Sequence, residues 1–391
     1  MIRFIRYLYI ILLFFVGSNV CLKFAIDLNL FAVLLLFLAL ISIVSQVNKL
    51  YLLKGWFPLF LFITFYGAFK IFTDTGAGTR TLVLNIIAPM LLIAAFPMDF
   101  LQNREEQSKI TKIFFLFFLI EVGIAITERI IGFNIFPWAN DDLFLLTQDG
   151  ATDFRSTSLH GHPLQNALIV STCMSFILIS NLSFKKKIIF WFAGFLAVAC
   201  FNTRAALVGN ILLFVTYVVF TIFYNKRENV RIKRNLLITL VIAALLIPVV
   251  ALKYNLGGRL IENGLMDSSS QVRLDVWGVF DYFEIENFLL GFTFNEVELI
   301  MYKVGLFATE NFWLDWLFRL GLCYLIPAVI LYFCFVKKLY KGYVFFNAAF
   351  TSLTFLLIAS TNNSLSASYV PLSIYLICIK IFNPSNKSIQ S

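Results

Sequence analysis

Charged residues are scarce in this chain, and so are histidine and proline. Asp, Glu, Lys and Arg make up only 14% of the 391 residues, and there are 2 histidines and 9 prolines. Soluble domains carry about 25% charged residues, so this composition excludes a soluble globular protein. P-loop, GxGxxG and HExxH motifs are also missing. Their absence argues against an ATP-driven pump and against a zinc protease.

Cysteines are present, but none forms a CxxC motif. The 6 cysteines lie in or beside apolar stretches, where cysteine acts as a small packing residue. We therefore expect neither disulfides nor a zinc site. The cysteines are Cys21, Cys173, Cys200, Cys323, Cys334 and Cys378.

Apolar side chains dominate the sequence instead. Hydrophobic residues make up 60% of the chain, with 46 Phe and 15 Tyr, and the mean hydropathy is +0.86. One aqueous core cannot bury so much apolar surface, so lipid must solvate part of it. The sequence therefore predicts an all-α, polytopic integral membrane helical bundle, with residues 1–391 forming a single transmembrane domain.

Runs of about 20 apolar residues, the length that crosses a bilayer, predict about twelve transmembrane helices. The first run is interpreted as an uncleaved span, because no AxA-like cleavage site follows it. Only Asn202 and Thr203 separate the seventh and eighth runs, which form either a tight helical hairpin or one span plus a partial span. The runs lie near 5–22, 28–45, 55–72, 80–98, 110–131, 162–182, 188–201, 204–224, 235–252, 311–336, 342–359 and 366–382.

Basic residues indicate how these helices are oriented. The formal net charge is +9, and in a membrane protein such an excess reports topology rather than a nucleic-acid partner. With the helices laid out in order, 20 of the 31 Lys and Arg residues fall on alternate connections. Cytoplasmic loops retain Lys and Arg, so we expect both termini in the cytoplasm. The external side then holds the two long connections, 133–161 and 253–310, where function is expected.

The first external segment with polar candidates is 151–170. Arg155 lies in the loop, and His160 and His162 just precede a helix. Arg155 could simply pair with Asp153 or Asp149. The two histidines could form half of a metal site, but two ligands without a nearby Cys or carboxylate are weak evidence for one.

The second segment holds Arg204, which begins a helix at the outer membrane boundary without an acidic residue nearby. Its guanidinium could extend to lipid headgroups or meet an anion at the helix N-terminus. In the third segment, 268–298, Arg273 and Asp275 begin a predicted amphipathic helix. Apolar residues at helical spacing predict that this helix lies on the membrane, and Arg273 could be only part of its polar face.

The fourth segment, 309–332, places Glu310 and Asn311 at the outer mouth of a helix. Asp315 and Arg319 follow at i, i+4 spacing and are predicted to form a structural ion pair. Glu121 lies in the middle of another apolar helix. Its role, structural or functional, cannot be decided from the sequence.

Three arginines and one carboxylate at one membrane surface suggest a specific chemistry. Arginine binds phosphate oxygens in a bidentate manner and stays charged, so it can neutralise a pyrophosphate leaving group without a metal ion. A nearby Glu can deprotonate an attacking sugar hydroxyl. The substrate would be a lipid-linked pyrophosphoryl sugar.

Four sequence pieces, in this order and spacing, resemble the bacterial O-antigen polymerase and ligase superfamily. They are R-S-T-S-L-H-G-H-P-L-Q-N-A at 155–167, N-T-R-A-A-L around Arg204, S-x-x-R-x-x-x-W around Arg273, and E-N-F-W-L-D-W-L-F-R-L-G from Glu310. The resemblance covers roughly 150–335. It implies a membrane glycosyltransferase fold of the C type, with a large external loop before the last three helices, and no cofactor.

The resemblance also implies roles for individual residues. Arg204 and Arg273 would bind the pyrophosphate, and Glu310 would be the catalytic or acceptor-orienting residue. Arg155, His160, His162 and Asn311 would bind substrate at the same mouth. Ligases of this superfamily typically carry His at the position of Glu310, so the Glu favours the polymerase branch.

The implied reaction joins undecaprenyl-pyrophosphate-linked oligosaccharide repeat units into O-antigen, capsule or exopolysaccharide chains. It would be an inverting, metal-independent transfer at the outer face of the bacterial cytoplasmic membrane, with a chain-length regulator and a flippase as possible partners. The first alternative is an O-antigen ligase that transfers finished glycan to an acceptor. The second, from another class, is a polysaccharide flippase or secondary transporter, which would favour two similar halves and charges near the bilayer midplane.

Overall fold

The computed structural model describes residues 2–44, 55–74, 77–94, 104–138, 154–223, 230–231, 233–239, 274–306 and 309–383. The described residues form helices and connections and contain no strand. A 3-10 helix spans Val276–Tyr282. The α-helices are α1 (Ile2–Phe15), α2 (Ser18–Lys23), α3 (Leu28–Val44), α4 (Phe57–Thr73), α5 (Ala77–Ala94), α6 (Arg104–Ile131), α7 (Pro163–Ile179), α8 (Phe184–Cys200), α9 (Arg204–Phe223), α10 (Ile285–Leu290), α11 (Phe294–Val304), α12 (Phe312–Leu320), α13 (Leu322–Leu339), α14 (Phe345–Ala359), α15 (Ser364–Ala367) and α16 (Val370–Ile381).

Among the described residues, 3 helices are long and apolar enough to cross a membrane. They are Glu105–Ile131 within α6, Arg204–Phe223 and Leu322–Leu339. Shorter apolar helices of 10–17 residues accompany them, including α3, α4, α7, α14 and α16. This architecture is that of a helical membrane protein, as the composition predicted.

Helix α7 is the centre of the bundle. All but Leu164 and Ile179 of its 17 residues are buried, and it packs against α6, α8, α9, α14 and α16. A helix that is apolar on every side must be surrounded by others, and α7 meets that condition. Its few polar side chains bond internally; Asn210 of α9, for example, donates to the Ser171 hydroxyl over 2.7 Å.

Two predicted spans are broken by glycines at close approaches. The run 5–22 is interrupted at Val16 and Gly17 and forms α1 and α2. The chain passes close to the Leu159 carbonyl oxygen at Gly17, where an added Cβ would lie only 2.0 Å from that oxygen. The run 311–336 forms α12 and α13 about Gly321, whose φ is +70° and whose Cβ would lie 2.3 Å from the Leu289 oxygen. The pair 188–224 forms two helices, α8 and α9, of 17 and 20 residues.

A compact cap precedes α12. Val276 and Val279 of the 3-10 helix are buried with Val297 and Phe318, so these valines face protein rather than the membrane surface that the sequence predicted. Asp74 at the end of α4 holds the cap to the bundle, because its carboxylate accepts the Phe294 N–H over 2.8 Å. Most of the predicted run 235–252 and loop residues 253–273 lie outside the described residues.

The bundle has two ends that differ in character. We call "loop end" the one where residues 154–162, the α8–α9 turn and the α14–α15 connection lie. We call "lysine end" the opposite one, where the α7–α8 and α13–α14 turns lie. The lysines of these turns are Lys185, Lys186, Lys187, Lys337, Lys338 and Lys341.

Candidate functional site

A buried carboxylate fixes the loop that carries Arg155. Glu128, near the end of α6, accepts the backbone N–H groups of Thr157 and Ser158, each over 3.0 Å, through one oxygen. Its other oxygen accepts the N–H groups of Ile135 and Phe136, over 2.9 and 3.4 Å. Both oxygens only accept, as an ionised carboxylate does. Glu128 therefore joins two loop segments to α6.

Two asparagines hold the same loop from other sides. The Asn19 amide nitrogen lies within 3.1 Å of the carbonyl oxygens of Thr157, Ser158 and Gly161. Asn166, in the first turn of α7, donates to the Thr157 carbonyl and accepts the His160 N–H over 3.1 Å. Backbone groups buried in a loop need such partners. The loop is thereby held in one conformation, which positions Arg155 and His162.

The two histidines occupy different places. His160 is completely buried, and its Nε2 donates to the Phe14 carbonyl over 2.9 Å. His162 caps α7 by accepting the Leu164 N–H, and its ring meets that of Trp138 at 4.8 Å between centroids. Burial lowers the pKa of each imidazole to about 4. Substrate binding by both stays a prediction, and His160 could reach a substrate only if the loop moved.

The α8–α9 turn lies directly against this loop. The Ser156 N–H donates to the Cys200 carbonyl over 3.1 Å, which places Arg155 beside the turn. Asn202 adopts a left-handed φ of +52°, a conformation that Asn tolerates better than most residues. It reverses the chain so that α9 begins only two residues later, at Arg204, which is half-buried.

Two polar side chains in this turn are buried with their polar atoms unsatisfied. Asn202 and Thr203 are 1% and 2% exposed. Within the described part of the chain, the Asn202 amide and the Thr203 hydroxyl make no hydrogen bond. The first N–H groups of a helix also lack intrahelical acceptors. Unsatisfied donors gathered at the N-terminus of a 20-residue helix, beside Arg204, are suited to bind an anion.

Glu310 and Asn311 lie at the same end, where α12 begins. Glu310 has a φ of +45°, which is strained for a residue with this side chain. The Asn311 oxygen caps α12 by accepting the Trp313 N–H over 2.9 Å, and its nitrogen donates to the Ser360 carbonyl over 3.2 Å. Substrate binding by Asn311 stays a prediction, since its amide is already engaged in positioning the start of α12.

The α14–α15 connection joins the start of α12 to α9. The Phe312 N–H donates to the Asn362 carbonyl over 3.1 Å. At the end of α14, just before this connection, Ile358 packs against Gly209 of α9: its Cγ1 would lie 3.5 Å from a Cβ added to the glycine. The loop with Arg155, the turn with Arg204 and the start of α12 with Glu310 thus share the loop end. Arg273 lies outside the described residues.

Two further acidic residues, Asp315 and Glu121, lie within helices. The predicted pair is confirmed: Arg319 Nε lies 2.9 Å from an Asp315 carboxylate oxygen, and the guanidinium stacks on the Phe294 ring at 4.5 Å. Glu121 is fully buried two turns before Glu128, and its backbone carbonyl accepts the Ser158 hydroxyl over 3.1 Å. Glu121 therefore packs under the same loop.

Backbone strain coincides with the predicted segments. Four non-glycine residues of the described chain have positive φ, namely Ala25, Ser158, Asn202 and Glu310. Three of the four lie in segments that sequence reasoning selected, and such strain clusters at functional sites. Sequence reasoning missed Asn19, Glu128, Asn166 and Thr203 as parts of this region. An acidic residue within an apolar helix was the one available signal, and it applied to Glu128 as well as to Glu121.

The arrangement at the loop end can bind an anion, and it places the Glu310 carboxylate at the same end. Comparison with known proteins adds no relative to this picture. No protein-family model matches the chain, and no curated protein matches it.

Proposed function

We propose that this chain is a polymerase that joins undecaprenyl-pyrophosphate-linked oligosaccharide repeat units into O-antigen, capsule or exopolysaccharide chains. It would lie in the bacterial cytoplasmic membrane as a bundle of about twelve spans, with a fold of the C type of membrane glycosyltransferases. Both termini and the lysine end would face the cytoplasm, which the basic turns support. The loop end would face outward, where lipid-linked units are polymerised.

The observation that carries this proposal is the pair of unsatisfied polar side chains at the start of α9. A bound diphosphate would accept hydrogen bonds from the free N–H groups of α9, the Thr203 hydroxyl and the Asn202 amide. Arg204 would neutralise its charge. Arg155 would assist from the adjoining loop, and Arg273 keeps its proposed role in the same task.

Glu310 supports the chemical step. In the proposed reaction, its carboxylate removes the proton from a sugar hydroxyl of the acceptor, and that oxygen attacks the anomeric carbon of the donor. The bond between this carbon and the pyrophosphate oxygen breaks with inversion, and the lipid pyrophosphate leaves with the electron pair, stabilised by the arginines. The strained φ of Glu310 fits a side chain held in place for function.

The test is the length of glycan chains in cells that carry variants of this gene. Arg204→Ala should collapse the ladder of surface glycan to single repeat units, and Thr203→Val should shorten it, while both proteins remain in the membrane. Removing one hydrogen bond to a charged group costs about 1.5–3 kcal/mol, so Thr203→Val should slow extension roughly tenfold or more. The matched control is Arg80→Ala, since Arg80 is an exposed arginine near the start of α5, at the same end.

The other outcomes argue against the anion site or against polymerisation. A normal ladder in Arg204→Ala would refute the anion site. Loss of surface glycan with long chains kept on the carrier lipid would indicate a ligase. Unpolymerised units trapped in the cytoplasmic leaflet would indicate a transporter.

A further inference from the structure

A second site lies at the lysine end, away from the proposed active site. There a cavity of about 680 Å³ opens between the ends of four helices. Its walls are the start of α6, the end of α7, the start of α14 and the end of α16. A cavity of this volume accommodates a small ligand or a headgroup.

Hydrogen bonds between the helix ends hold the cavity open. Gln107 of α6 donates to the Ile381 carbonyl over 2.7 Å, and the Tyr343 hydroxyl donates to the Ile379 carbonyl over 2.6 Å. The Asn383 amide donates to the carbonyl oxygens of Leu339, the last residue of α13, and Lys341, each over 3.1 Å. These bonds join α6, α16, α13 and the start of α14, so the cavity does not depend on a ligand for its shape.

Three lining side chains are available to a ligand. Lys112, Asn181 and Asn347 line the cavity, and within the described part of the chain their side chains make no hydrogen bond. They offer one positive charge and two amides that both donate and accept. Phe115 and Leu182 line the same space. The cavity therefore has a polar, cationic part and an apolar part.

Among the described residues, the charges around the cavity are positive on balance. Lys185, Lys186 and Lys187 follow the α7–α8 turn that forms one wall. The nearby acidic residues are neutralised by partners of their own: Glu105 lies 2.6 Å from Lys109, and Glu106 pairs with Arg3 at 3.8 Å. An anionic group is thus attracted to this end.

We propose that this cavity binds the headgroup of an anionic phospholipid. Its phosphate would lie against Lys112, the amides of Asn181 and Asn347 would bind phosphate and headgroup oxygens, and an acyl chain would leave along Phe115 and Leu182. The apolar lining favours a lipid over a water-soluble phosphate ester. This site is independent of the proposed polymerase activity, because none of its residues lies at the loop end.

The test uses the purified full-length protein in detergent and native mass spectrometry with added phosphatidylglycerol. We expect one tightly retained phosphatidylglycerol per chain and no comparable retention of phosphatidylcholine. Lys112→Ala should weaken retention about tenfold, as expected for a lost charge-assisted hydrogen bond, and Asn181→Ala should weaken it in the same direction. Lys23→Ala is the matched control, since it removes the same charge from the exposed end of α2, at the loop end and away from the cavity.

The other results overturn the proposal. Equal losses in Lys112→Ala and Lys23→Ala would mean that the lipid responds to net charge alone. Equal retention of phosphatidylcholine would mean that no anionic headgroup is selected. Displacement by glycerol 1-phosphate at the same concentration as by phosphatidylglycerol would identify a soluble phosphate ester as the ligand.

Discussion

Replacing Glu128 with glutamine should release the loop that carries Arg155, although the two side chains have almost the same size. The carboxylate accepts four backbone N–H groups, two through each oxygen. A glutamine amide keeps one accepting oxygen and presents an NH2 group, which cannot accept, to the other two. Two buried donors are therefore left without an acceptor.

The magnitude follows from that count. A buried donor left unsatisfied costs about 1–3 kcal/mol, so two of them reduce the free energy that keeps the loop closed by about 2–6 kcal/mol. Each 1.4 kcal/mol is a factor of ten in an equilibrium constant. The open fraction of the loop should rise by about 30-fold or more.

Cys200 provides the assay. It is 4% exposed at the end of α8, lies close to Glu128 and Arg129, and its carbonyl accepts the Ser156 N–H of the loop. In a variant whose only cysteine is Cys200, maleimide should label the thiol about 30 times faster, or more, after Glu128→Gln. Thr127→Val, on the same helix, is the matched control, because the exposed Thr127 hydroxyl donates within its own helix, to the Gly123 carbonyl over 2.8 Å. Unchanged labelling in Glu128→Gln, or an equal rise in the control, would refute the clamp.

Three further predictions concern other positions. Glu310→Gln should reduce glycan extension far more than Asp315→Asn, and equal losses would indicate a packing role for Glu310. Gly17→Ala should lower the melting temperature in detergent, since its Cβ would lie 2.0 Å from a loop carbonyl oxygen. At Gly123 no described residue lies within 4 Å of an added Cβ, so Gly123→Ala should raise stability by about 1 kcal/mol. Changes of the same sign in both variants would contradict this explanation. Burial lowers the pKa of His160 to about 4, so the unfolded chain takes up a proton first and stability is lost as pH falls from about 6.5 to 4, on the order of 3 kcal/mol. His160→Gln should make the melting temperature depend less on pH in this range. An unchanged pH dependence would exclude His160 as the cause of the lost stability.

The helices could be predicted from sequence where apolar length alone decides them. The cores of α7 and α9 coincide with apolar runs because a continuous apolar stretch has few other stable environments. The breaks could not be predicted in the same way. Gly17 ends the first helix because a loop 142 residues later passes over it. Such a contact is a property of the tertiary structure and leaves no local pattern beyond the glycine itself.

The candidate site likewise contains some residues that the sequence could identify and some that it could not. Arg204 was identifiable because a guanidinium at a membrane boundary is costly unless something binds it. Thr203 and Asn202 were not, because short polar residues between two helices are ordinary in a turn and become unusual only when the turn is buried. Because both side chains are buried, the Asn202 amide and the Thr203 hydroxyl have little contact with water, and among the described residues they have no hydrogen-bond partner. A buried polar group costs about 1–3 kcal/mol when it is left unsatisfied, so an anion that satisfies both recovers that energy on binding. Arg204 supplies the positive charge that a diphosphate needs. Its two uncharged neighbours, Asn202 and Thr203, supply hydrogen bonds, and for this reason we expect the proposed diphosphate to bind at this turn and not at another arginine of the loop end.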